Sequence, residues 1–197
     1  MPKSAIIQQL EQSGLLSRKG KALDLGCGAG NDAIGLARAG YEVIAVDLRA
    51  YELAILESRR GKLPVKTIQK DISDFDIEPG AYSLIAARNS LPFLRAEDVW
   101  RVIEAMANGL KPNGILFFTL FGTRDDWSNT AGMNFHVYED VIESLQKMPL
   151  RVYFRSNEES YSTTQAGEMK FWQVHTFIYV REPITSAVAR DLLIKKH

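Results

Sequence analysis

Asp24-Leu25-Gly26-Cys27-Gly28-Ala29-Gly30 is the stretch that decides how this 197-residue chain is read. It grows out of Lys21-Ala22-Leu23-Asp24-Leu25, a short apolar run that reads as a strand. It leads into Asn31 to Arg38, which reads as a helix closed by Gly40. Glycines at a strand-to-helix junction let the backbone pass close to a ligand with no Cβ in the way. The helix that follows points its N-terminus at whatever lies there. The junction is therefore a candidate nucleotide-type site.

Working outward, the same alternation repeats. Tyr41 to Asp47 is a second strand dense in β-branched residues, and Leu53 to Arg60 is a helix stopped by Gly61. Val65 to Gln69 and Tyr82 to Ala87 read as strands three and four. Ala96 to Leu110 carries Val99, Ile103, Met106 and Leu110 at helical spacing. The turn Lys111-Pro112-Asn113-Gly114 precedes a strongly apolar fifth strand, Ile115 to Phe121. Repeated strand–helix units imply a parallel sheet covered on both faces.

The rhythm then breaks. A loop from Gly122 to Asn134 leads to a helix near Tyr138 to Lys147. Arg151 to Arg155 and Phe171 to Val180 read as strands separated by a polar stretch, Ser156 to Glu168. With no crossover helix between them they should pair antiparallel. The expected fold is an α/β, Rossmann-like three-layer sandwich, with a mostly parallel seven-stranded sheet ending in an antiparallel hairpin strand. One domain spans 1–197: an N-terminal helix in 1–20, a core from 21 to 182 and a tail from 183 to 197. In the first segment Ile6, Ile7 and Leu10 share one side of the helix; in the tail Ile184, Val188 and Leu192 align as a short helix.

Gly28-Ala29-Gly30-Asn31-Asp32-Ala33 satisfies the loose G-x-G-x-x-G/A dinucleotide pattern. The register Asp24-x-Gly26-x-Gly28-x-Gly30 is more particular, because an acid ends the strand before the first glycine. Asp47 ends the second strand roughly twenty residues on, where a carboxylate can accept hydrogen bonds from both ribose hydroxyls. Asp71 follows the third strand, where it can accept from the exocyclic amine of an adenine while Ile72 packs on the ring. Three acids at three consecutive strand ends share the sheet edge at which ligands of open α/β sheets bind.

Together the loop Asp24–Gly30, Val43–Asp47, Asp71-Ile72 and Leu110–Leu116 resemble the ordered motifs of class I S-adenosylmethionine-dependent methyltransferases over residues 20 to 182. The resemblance implies that Asp24, Gly26, Cys27, Gly28 and Gly30 contact the methionine end of S-adenosylmethionine. It implies that Asp47 with Leu48 holds the ribose, and that Asp71 with Ile72 holds the adenine. It also implies a closing reversed hairpin strand. The loop Gly28-Ala29-Gly30-Asn31-Asp32, the following Ala39-Gly40-Tyr41-Glu42-Val43 and the closing Met169–Phe177 are similar to the tellurite-resistance and small-thiol methyltransferases. That narrower likeness implies a small-molecule acceptor, a soft anion or thiol.

Arg88-Asn89-Ser90-Leu91-Pro92-Phe93 follows the fourth strand, where the resemblance places residues between cofactor and acceptor. The Asn-Pro-Pro-Tyr signature of amino-group DNA methyltransferases is absent from it. Arg88 is a candidate for holding a carboxylate of the cofactor or an anionic acceptor; an ion pair is the alternative. His175, in phase with Phe171, Gln173, Phe177 and Tyr179, is a candidate general base or anion ligand, with a packed core histidine as the alternative. His136 opens a helix, and Trp127 is an anchor or an acceptor-pocket wall. Cys27 is a small filler beside the cofactor.

Composition narrows the classes further. Lys plus Arg and Asp plus Glu number 24 each, so no basic excess marks a nucleic-acid partner. One cysteine excludes an intrachain disulfide and offers no metal cluster. No run approaches the roughly 20 apolar residues of a membrane span, and a cytoplasmic protein is expected, as monomer or homodimer. Two other readings stay open: an NAD(P)-dependent oxidoreductase on the same loop, and a non-catalytic S-adenosylmethionine-binding module.

Overall fold

Apolar residues on both sides of each strand demand cover on both faces, and a computed structural model supplies it. It describes residues 5–12, 14–17, 19–164 and 166–183. The elements run α1 (Ala5–Gln12), β1 (Lys21–Leu25), α2 (Asn31–Arg38), β2 (Glu42–Asp47), α3 (Ala50–Arg60), β3 (Val65–Gln69) and β4 (Tyr82–Ala87). Then come α4 (Ala96–Gly109), β5 (Leu110–Gly122), β6 (Phe135–His136), α5 (Tyr138–Leu145), β7 (Leu150–Thr163) and β8 (Met169–Arg181). The expected tail helix at Ile184, Val188 and Leu192 lies outside the described residues.

The strands form one sheet in the order β3-β2-β1-β4-β5-β8-β7, with β6 paired to β5 off this path. β1 to β5 are mutually parallel, while β8 runs antiparallel between β5 and β7. The order reverses between β1 and β4, so a crevice opens at the carboxyl ends of the strands there. Side-chain alternation sorts the core into two layers. Leu23, Leu25, Ile85, Leu116, Phe118 and Phe177 pack with α4 and α5. Ala22, Val43, Leu84, Phe117 and Ile178 pack with Ile7 and Leu10 of α1 and with the apolar sides of α2 and α3.

Three details differ from the expectation. Lys111-Pro112-Asn113-Gly114, expected as a turn, lies inside β5, where the register against β4 shifts. The sheet has an eighth strand, β6, which pairs Phe135 and His136 with Phe121 and Gly122. It takes the edge of β5 beyond Phe118, where the pairing with β4 stops. Two residues are too short to carry a period, so this strand leaves no sequence signal, and His136 ends it rather than opening a helix. The hairpin is also longer than expected: pairing runs from Leu150–Arg181 out to Thr163–Met169, through most of the polar stretch. The outer half of β7 is exposed. Main-chain bonds hold it, and no apolar alternation announces it.

Candidate functional site

The glycine loop is built from both sides. The N–H groups of Gly26 and Cys27 donate to the Val46 carbonyl at 2.8 and 3.0 Å, fastening its start to β2. The Gly28 N–H donates to Asp47 Oδ2 at 2.8 Å. Arg59 of α3 donates to the Ala29 carbonyl at 2.6 Å and to Asn31 Oδ1 at 2.8 Å. Two glycines are obligatory. A Cβ on Gly26, at φ +72°, would lie 2.3 Å from the Ser90 Cβ, and one on Gly30, at φ +80°, would lie 2.2 Å from Leu56 Cδ1.

Above the loop lies a cleft of about 330 Å³, lined by Gly26, Asp47, Leu48, Arg49, Asp71, Ile72, Asn89, Ser90 and Phe93. Five of the sequence candidates meet here: Gly26, Asp47, Leu48, Asp71 and Ile72. The Asp47 carboxylate is buried. Besides Gly28 it accepts from the Arg49 backbone N–H at 2.9 Å and from Arg49 Nε at 3.4 Å. Asp71 Oδ1 accepts from the Ser73 N–H and hydroxyl at 2.9 and 2.8 Å, which fixes the group and turns Oδ2 toward no described partner. Ile72 is buried beside it, whereas Leu48 on the rim is exposed.

The remaining candidates sit deeper or elsewhere. Gly28, Gly30 and Cys27 belong to the loop itself, and none of them lines the cleft. Burial, reinforced by Asp24 and Asp47, pushes the Cys27 thiol far above its ordinary range, so it stays an un-ionised thiol. Asp24 is fully buried behind the loop. It accepts from the Ala33 N–H, while its Oδ2 has no hydrogen-bond partner among the described residues. Burial and the neighbouring Asp32 raise its pKa from 3.8 to about 8 against the pull of Arg88. Arg88 does not line the cleft: its Nε donates to Asp32 Oδ2 at 2.6 Å, the ion-pair alternative.

His175 does not line the cleft either. It is buried on the α5 side of the sheet, where its Nε2 lies 3.0 Å from the His136 carbonyl oxygen and its ring packs 5.2 Å from Tyr138. Burial holds the pKa values of both His175 and His136 below the usual histidine value. Four lining residues escaped individual notice. Arg49 enters through its bonds to Asp47, a contact that no spacing encodes. Asn89, Ser90 and Phe93 lie in the flagged segment after β4. Asn89, at φ +54°, donates its N–H to Thr119 Oγ1 and accepts from that hydroxyl. The Ser90 hydroxyl donates to the Leu25 carbonyl.

Comparisons with known proteins bear on this cleft. Residues 22–114 match the family model described as a methyltransferase domain, a span holding every cleft residue. The cypemycin N-terminal methyltransferase of a Streptomyces species is 34% identical over 97 residues, which cover 48% of this chain and 39% of that protein. Carboxy-S-adenosyl-L-methionine synthase of Vibrio cholerae is 33% identical over 107 residues, covering 50% and 43%. The chain thus spans about two fifths of the length of these curated relatives. The crystal structure of TehB from Haemophilus influenzae superposes with a TM-score of 0.75 at 19% identity, covering 89% of this chain and 62% of that one.

Proposed function

The chain carries a class I S-adenosylmethionine-dependent methyltransferase domain, and on that premise we propose that it transfers the cofactor's methyl group to a small-molecule acceptor with a soft nucleophile, an anion or a thiol. The fit of the cofactor rests on three features. The Gly26 backbone comes close to the cleft because no Cβ intervenes. Asp71 Oδ2 has no donor among the described residues and is available to the adenine amine, with Ile72 beside the ring. Asp47 Oδ2, which accepts only the Gly28 N–H among the described residues, keeps acceptor capacity for a ribose hydroxyl.

Bound S-adenosylmethionine supplies a methyl already activated by a sulfonium. The protein's part is then to hold donor and acceptor in line and to exclude water, an effect that can contribute about 7–11 kcal/mol. Asn89, pinned to Thr119, and Ser90, pinned to Leu25, are fixed between the glycine loop and Phe93, where an acceptor would enter.

The observation that carries the acceptor class is the lining of that side. Gly26, Asn89, Ser90 and Phe93 include no general base, and neither the buried His175 nor the half-buried His136 lines the cleft. An acceptor that needs no proton removed by the enzyme suits such a wall. Incubating the chain with S-adenosylmethionine and a thiol across pH 6 to 9 tests this. The rate of S-adenosylhomocysteine formation is expected to rise with ionisation of the thiol itself, so thiols of different acidity give displaced profiles. A single profile shared by all thiols would place a base in the protein and contradict the reading.

A further inference from the structure

Phe93 is 54% exposed at the cleft although its backbone is fixed on every side. Its N–H donates to the Ser90 carbonyl at 3.1 Å, and that of Leu94 to the Leu91 carbonyl at 3.1 Å. Asn134 bonds the residues on either side: its N–H donates to the Pro92 carbonyl at 2.8 Å, and its Nδ2 donates to the Leu94 carbonyl. The ring itself meets Phe121 edge-on, with centroids 6.2 Å apart. A large apolar ring held this firmly in the open is preorganised for a ligand.

Behind it stands a wall that cannot easily yield. Phe121 packs on Trp127 and Trp172 at 6.4 and 5.6 Å. The Lys170 ammonium lies 3.5 Å from the Trp172 ring centroid and 4.4 Å from that of Trp127. Lys170 also donates to Asp125, and both groups are buried. Asp125 accepts as well from the N–H groups of Trp127 at 2.9 Å and Gln173 at 3.1 Å. The pair clamps the loop after β5 to the hairpin, and the far end of that loop is the Asn134 that fixes Phe93.

Three cations of the described residues are already paired. Lys170 is held by Asp125, and Arg88 by buried Asp32. Arg49, at the cleft, is held by Asp47 and Glu52. Drawing Lys170 or Arg88 toward an inorganic anion would cost the buried Asp125 or Asp32 its ion pair. Among the described residues, apolar contact is therefore better placed than charge to bind on this side.

We propose that Phe93 determines acceptor specificity by stacking on a flat aromatic group that carries the nucleophilic sulfur, so that the acceptor is an aryl thiol. The proposal rests on the methyl-transfer reading. Aryl thiols are more acidic than alkyl thiols and lose their proton to water near neutral pH, which suits a wall with no base. The thiolate sulfur attacks the methyl carbon and forms a new S–C bond. The old bond to the sulfonium breaks, its electron pair stays on that sulfur, and an uncharged thioether leaves.

The test compares benzenethiol, 2-mercaptoethanol and tellurite as acceptors for the parent chain, Phe93→Ala and Phe93→Tyr, with S-adenosylhomocysteine formation as readout. Benzenethiol is expected to give the highest kcat/KM of the three in the parent. Phe93→Ala should lower the benzenethiol to 2-mercaptoethanol ratio of kcat/KM at least tenfold; effects on the cofactor cancel in that ratio. Phe93→Tyr, which keeps the ring, should hold the ratio within threefold. A preference for tellurite or 2-mercaptoethanol, an unchanged ratio in Phe93→Ala, or no turnover of benzenethiol overturns the proposal. Calorimetry with S-adenosylhomocysteine separates the two failures, since a chain that binds it but rejects benzenethiol refutes the aryl acceptor alone.

Discussion

Asp47→Ala is expected to weaken S-adenosylhomocysteine binding by about ten- to a hundredfold. A hydrogen bond to a charged group contributes about 1.5–3 kcal/mol, and the carboxylate is proposed to serve both ribose hydroxyls. It also organises the apo site. One oxygen takes the Gly28 N–H and the other the Arg49 N–H, so alanine frees the glycine loop and the rim of the cleft together. Asp47→Asn, which keeps one carbonyl-type acceptor, should lose less. Titration calorimetry decides the matter: an unchanged dissociation constant in Asp47→Ala would mean that the ribose lies elsewhere.

The second large effect is on stability. The gap in melting temperature between Asp24→Asn and the parent chain is expected to widen as pH rises from 5 to 8. In the unfolded chain Asp24 ionises near its ordinary 3.8, whereas in the fold burial and Asp32 hold its pKa at about 8. Between those values the folded state binds the extra proton, so raising the pH favours unfolding. The slope is at most about 1.4 kcal/mol per pH unit. Asparagine has no proton to lose and keeps an oxygen for the Ala33 N–H, so its stability lacks this decline. Over three pH units the limit is about 4 kcal/mol, or roughly 10 °C at 2–4 °C per kcal/mol. Above pH 8 the gap should level off. Melting curves at pH 5, 6.5 and 8 measure it, and a constant gap would show that Asp24 is ionised throughout.

The glycine loop and the cleft were legible because they constrain the chain locally. Gly26 and Gly30 take positive φ where a Cβ would strike Ser90 or Leu56. Asp47 and Asp71 sit at strand ends that β-branched runs announce. The parallel sheet and its reversed hairpin followed from the spacing of helices between strands. What stayed hidden depends on distant partners. Arg88 is spent on Asp32, 56 positions away in the chain, and His175 is tied to the His136 carbonyl across the fold. Neither pairing leaves a periodic trace. β6 is too short to show a pattern, and the outer hairpin is polar because its backbone, not its side chains, holds it in place. The clamp of Asp125 and Lys170 joins residues that look like ordinary surface charges in the sequence, yet both are buried.

The matched stretch ends at residue 114, before the loop, the hairpin and the aromatic wall. The family match therefore takes in the glycine loop and every residue of the cleft, Phe93 included, while the aromatic wall behind Phe93 lies beyond it. Such a division suits a fold whose fixed chemistry lies at one end of the sheet and whose substrate range varies with the loops added beyond it.

The cleft's identity as an S-adenosylmethionine site is tested most directly by thermal melting of the whole chain with S-adenosylhomocysteine and, separately, with NADH. Saturation at about 100 times the dissociation constant stabilises a protein by about 2.7 kcal/mol, a shift of several degrees for a chain of this size. The account predicts that shift with S-adenosylhomocysteine, its loss in Asp47→Ala at the same concentration, and none with NADH. Stabilisation by NADH and not by S-adenosylhomocysteine would contradict it.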